Sequence, residues 1–167
     1  MTMTRVDCAG LLRTISIALL LAAPTLAHAA EPAELISTIK SVDKKAKGNS
    51  EAGRAVTELS QAEPAVLLPV LAAFHDANPL AANYLRSAAE TIVDRAIAAK
   101  KTLPRKLLES FITDRKNEPQ ARRLAFEILQ RVDTTVVDRL IPGMLTDPSP
   151  LFRRDAVARL LDLADRL

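Results

Sequence analysis

Residues 140–160 read Leu-Ile-Pro-Gly-Met-Leu-Thr-Asp-Pro-Ser-Pro-Leu-Phe-Arg-Arg-Asp-Ala-Val-Ala-Arg-Leu. Asp147-Pro148 and Pro150 mark a break followed by a new helix, because proline is tolerated in a first turn and an aspartate just before it is a start signal. Within that helix Ala156 and Leu160 stand four residues apart, hence on one face. The small residue lets another helix approach closely, and the large one fills the groove beside it. Upstream, Thr135 and Asp138 have the spacing of a capping box, so a first helix is expected over residues 134–146 and a second over 150–166. The unit is a helical hairpin.

The small-then-large spacing recurs in Ala55 with Leu59, Ala88 with Ile92 and Ala125 with Leu129, at intervals of about 31 to 37 residues. Gly48-Asn49, Asn78-Pro79 and Asn117-Glu118-Pro119 supply further breaks. The remaining helices are expected at 33–46, 50–62, 64–76, 80–99, 104–116 and 120–132, giving hairpins over 33–62, 64–99, 104–132 and 134–166. Composition agrees: Ala and Leu dominate the apolar residues, aromatic residues make up 3%, and there are four glycines. No alternating apolar pattern competes. The fold class expected is all-α.

These residues resemble the HEAT repeat family. The match runs through Leu140 to Leu145 with its proline, the Asp147-Pro148 turn, the Phe152-Arg153 pair, Ala156 and Leu160. Leu67-Leu68-Pro69-Val70-Leu71 repeats the first-helix part, with Asn78-Pro79, Arg86 and Ala89 as a looser turn and second helix. Ala121-Arg122, Ala125 and Leu129 supply the second helix of a third unit, and residues 33–62 form an atypical first unit without the arginine. Tetratricopeptide repeats are the nearest rival, but their Trp, Gly and Tyr landmarks are missing; an ordinary helix bundle is the blander alternative. The resemblance implies an armadillo-like α-solenoid of about four antiparallel hairpins. It also implies that Arg86, Arg122 and Arg153 are structural, each bonding a neighbouring turn and tying adjacent repeats. A basic ladder for phosphates is the competing reading.

Residues 1–29 differ from the rest. Arg5 and Arg13 precede an apolar run at 15–23, and Ala27-His28-Ala29 has the small-x-small pattern of a cleavage site. This is the plan of a Sec signal peptide, so a HEAT-like domain over residues 30–167 is expected in the periplasm or secreted. The run is well short of the roughly 18–20 residues of a membrane span, and no stable membrane insertion is expected after cleavage. Cys8, the single cysteine, leaves with the leader. The formal charge of +3 describes a mixed surface and does not call for a nucleic-acid partner.

Arg123, Glu127, Gln130, Arg154, Asp155 and Arg159 are the candidate protein-binding residues, on the exposed side of the second helices, which in such solenoids lines the concave surface. The competing reading is a solvated face with helix-spaced ion pairs. Ala125 and Ala156 are expected buried, and Arg123 and Arg154 exposed. Pro69 and Pro142 are read as kinks that curve first helices, and Lys44, Lys45 and Lys47 as a positive helix end. His75 alone makes no zinc site, and Glu90 with Asp94 reads as a surface pair.

No catalytic constellation, cofactor site or metal site is expected. The function expected is an exported scaffold or adaptor that binds another protein through a curved helical surface. The alternative is a subunit or N-terminal fragment of a larger enzyme or a HEAT-like lyase. Val157, Leu160, Leu161 and Ala164 keep apolar positions at the last helix, so either self-association through it or a chain that continues into further repeats is expected.

Overall fold

The computed structural model describes residues 31–43, 45 and 47–166. The leader, its boundary at Ala29 and Lys44 lie outside them. Among the described residues eight α-helices follow in order: α1 (Pro32–Lys40), α2 (Asn49–Leu59), α3 (Leu67–Ala72), α4 (Pro79–Ala98), α5 (Arg105–Thr113), α6 (Pro119–Gln130), α7 (Val136–Leu140) and α8 (Pro150–Ala164). Two 3-10 turns, Pro64–Val66 and Ile141–Met144, precede α3 and follow α7. No strand occurs among the described residues, so the fold is all-α.

Start signals work as expected at α4. Asn78 Oδ1 accepts from the Leu80 and Ala81 N–H groups at 3.0 Å each, and its amide donates to the Val42 carbonyl at 2.6 Å. One residue thus caps its own helix and fixes the end of α1 to it. The expected capping box at Thr135 does not form. Its hydroxyl donates to Asp133 Oδ1 at 2.8 Å and accepts from Arg139 at 2.6 Å, leaving α7 without a side-chain cap.

The two prolines break helices where a bend was expected. The helix read at 134–146 stops as α7 at Leu140, and Pro142 sits in the 3-10 turn. Likewise the segment read at 64–76 divides into the 3-10 turn Pro64–Val66 and the six-residue α3, with Pro69 in its first turn. The reason is the missing N–H together with the clash of the ring against the preceding turn. The lysine cluster also moves. α1 ends at Lys40, whose ammonium reaches the His75 carbonyl at 2.9 Å. Lys45 and Lys47 lie in the following loop and give their backbone N–H groups to Asp43.

Helices pack in chain order: α1 on α2, α3 on α4, α5 on α6, and the Ile141–Met144 turn on α8. Each pair also meets the next, through α2 with α4, α3 with α6, and α6 with α7. One apolar core runs through all of them from Leu35 to Ala156. Ala55, Ala88, Ala125 and Ala156 are buried, as are Leu59, Ile92 and Leu129; Leu160 alone breaks the pattern at 50% exposure. Ala156→Leu should therefore overpack α8 against its neighbours and cost about 1–3 kcal/mol. In dilute solution Arg154→Ala should stay within about 0.5 kcal/mol. Urea melts of the two variants check the ranking.

Candidate functional site

The third and fourth helix pairs meet around a buried ion pair. Arg122 enters the core from α6 and is 0% exposed. Its guanidinium forms a fork onto the Asp147 carboxylate at 2.9 and 2.6 Å, and Nε donates to the Ile112 carbonyl at 2.6 Å. Asp147 also accepts from the Ser149 N–H at 2.9 Å, which shapes the turn into α8. Arg122 therefore ties α5, α6 and the Asp147 turn together. Burial pushes the Asp147 carboxyl up, but Arg122 and the Ser149 N–H outweigh it and hold the group below its ordinary range.

Phe152 packs beside this pair, with the Arg122 guanidinium 5.0 Å from its ring centre. The Phe126 ring meets it edge-on at 5.6 Å and 89°. Arg123 covers both rings, at 5.5 Å from Phe126 and 5.8 Å from Phe152. It bonds Glu127 on its own helix at 3.1 Å and Asp155 on α8 at 2.5 Å. Burial alone would lower the Arg123 pKa; its two carboxylate partners raise it instead. Asp155 is moved up by burial and further down by Arg123, so it too stays ionised.

Arg86 belongs to the same series. It bonds Glu90 at 3.0 Å and Glu127, one helix pair further on, at 3.2 Å. Glu90, Arg86, Glu127, Arg123, Asp155 and Arg154 thus form an alternating ladder across α4, α6 and α8.

A groove of about 250 Å³ opens beside the ladder, lined by Arg123, Phe126, Gln130, Val137, Ile141, Asp155, Ala158, Arg159 and Asp162. Four of the expected binding residues, Arg123, Gln130, Asp155 and Arg159, come together here. Glu127 joins only through Arg123, and Arg154 is not part of the lining. Arg159 is held against Asp138 of α7. Arg123, expected exposed, is half-buried, because its guanidinium lies over two rings and spans two carboxylates.

The expectation of one shared role for Arg86, Arg122 and Arg153 fails in the same way. Arg122 binds a neighbouring turn as expected. Arg153 donates to the Asp147 and Pro148 carbonyls of the turn before its own helix, at 2.6 and 3.0 Å, and so does not reach the preceding pair. Arg86 pairs with side chains on helices. Counted back from Ala88, Ala125 and Ala156, the counterparts of Arg86 are Arg123 and Arg154, two residues before the small residue in each case. Asp162 and the apolar floor of Phe126, Val137 and Ile141 escaped sequence reading, and Asp138 was read only as half of a capping box. The floor is made from residues whose apolar character serves the core equally well.

Among the described residues no group of three or more His, Cys, Asp or Glu side chains is placed to hold a metal ion. Among them, too, no helix is long and apolar enough to cross a membrane. Comparison with known proteins finds no matching family model, no similar curated protein and no similar solved structure.

Removing one partner of a buried pair strands the other, so Arg122→Ala should cost about 3–5 kcal/mol. Arg153→Ala, which frees two backbone carbonyls of a turn and strands no charge, should cost clearly less; chemical denaturation of both variants measures this. The Asp147 pKa is lowered on folding, so the unfolded chain takes up this proton first as pH falls. The contribution is then complete above about pH 5 and is lost below about 3.9, on the way to the folded-state pKa. Asp147→Asn should therefore be less stable at neutral pH and lose stability less steeply in acid, as read from denaturant midpoints at several pH values.

Proposed function

We propose that the protein is an exported scaffold or adaptor of the HEAT-like type, a short α-solenoid of helical hairpins that binds another polypeptide and performs no catalysis of its own. The observation that carries this reading is the groove between α6, α7 and α8. An apolar floor of Phe126, Val137 and Ile141 lies under a rim of both charges, Arg123 and Arg159 against Asp155 and Asp162. Such a mixture suits a peptide segment with an apolar side chain to bury and polar groups to orient, and it suits a polyanion poorly. The helix order and the ties between successive pairs support a repeat architecture. Support for export comes from the leader plan at residues 1–29 alone.

Photo-crosslinking from Ala158, which is exposed on the groove, should capture a protein in the cell envelope. The same probe at exposed Thr57 on α2 should not. Fractionation should find the chain outside the cytoplasm with its amino terminus at Ala30. Adducts at neither site, or equal adducts at both, would sink the binding role. A cytoplasmic protein with its leader intact would return the reading of a subunit of a larger enzyme or a HEAT-like lyase.

A further inference from the structure

The outward face of α8 has counterparts on the two preceding second helices, and those counterparts are covered. Phe126 and Leu129 on α6 are 2% and 0% exposed. The matching positions on α8, Val157 and Leu160, are 48% and 50% exposed, and Leu161 beside them reaches 61%. The charge ladder breaks off at the same place. Arg86 finds an acid on the next helix pair at 3.2 Å and Arg123 finds one at 2.5 Å. Arg154, the next member of the series, contacts only its sequence neighbour Asp155 among the described residues, and its side chain is 69% exposed. The helix thus presents an interface lacking its second half: an apolar stripe with a cation awaiting a carboxylate.

We infer that this face packs against the same face of a second copy of the chain. The two α8 helices run antiparallel about a twofold axis, with Arg154 of each copy against Asp165 of the other. Two observations select this occupant. Of the eight large apolar side chains exposed among the described residues, six lie between Leu145 and Leu163, and none is on α1 or α2. A head-to-tail contact therefore lacks an apolar acceptor at the first helix pair, whereas a self-complementary contact has one by construction. The second observation is charge. Arg154, Leu161 and Asp165 are seven and four residues apart, hence on one side of α8, with the cation towards its start and the carboxylate at its end. A parallel crossing in register would set Arg154 against Arg154; an antiparallel one pairs Arg154 with Asp165 twice and leaves the leucines between. The inference does not depend on the groove or on what it binds.

One helix face covers much less than the roughly 800 Å² per partner of a standard interface, so association of micromolar strength is expected. Sedimentation velocity on the full chain as the cell processes it, up to about 200 µM, should show a monomer–dimer equilibrium. Leu161→Glu should leave a monomer with an unchanged helical spectrum and melting curve. Arg154→Asp and Asp165→Arg should each weaken the dimer by about tenfold, and the two together should restore it. A monomer at every concentration would overturn the proposal, and so would a dimer indifferent to Leu161→Glu. A charge swap that failed to rescue would overturn the antiparallel pairing. So would a complex in which a different protein covers Leu161 while the purified chain stays monomeric.

Discussion

The fork of Arg122 onto Asp147 is the contact on which the second half of the molecule depends. A guanidinium with no exposure is costly to desolvate, and it persists because each of its three nitrogens has an acceptor: two carboxylate oxygens and the Ile112 carbonyl. No buried side-chain nitrogen or oxygen among the described residues is left without a partner. The consequence is geometric. Asp147 can meet Arg122 in one place only, and that place fixes the turn that starts α8. Through the turn it fixes Phe152 against Phe126 and Asp155 against Arg123. The groove is thus a by-product of a core decision.

The outer ladder contributes differently. Its members are partly exposed, so each contact is screened by water and salt and adds little on its own. What the ladder supplies is orientation: Arg123 cannot swing into the groove while it bridges Glu127 and Asp155. With Arg123 and Arg159 set against Asp155 and Asp162, the rim is close to neutral in sum yet locally polar on both sides. A partner would meet preset donors and acceptors, which lowers the cost of ordering side chains on binding. The same pairing explains why the residues read as freely exposed from sequence are mostly engaged already.

Helix number and order were legible because local rules act strongly on them. Asn78-Pro79 and Asp147-Pro148 mark starts for reasons confined to a few residues, and the burial of Ala88, Ala125 and Ala156 follows from spacing alone. The misreadings come from side chains that compete for the same groups and from small shifts of register. Thr135 has the spacing of a capping residue but is claimed by Asp133 and Arg139. Arg86 looks like Arg122 in a string of letters, yet sits one position later relative to its small residue, and a one-position change on a helix turns a side chain by about 100°. That angle separates a buried arginine from a half-exposed one.

The sequence by itself therefore determined the helical class, the succession of helices among the described residues, and the small residues at their contacts, since propensity, proline and periodicity all act over a few residues. Which arginine is buried, which carboxylate it meets, and which apolar residues form a groove floor instead of core were decided only by the tertiary structure. Those outcomes rest on contacts between residues 25 to 41 positions apart, as in Arg122 with Asp147 and Arg86 with Glu127. A charged side chain has no periodic signature that announces its partner. Its environment exists only once α4, α6 and α8 lie side by side.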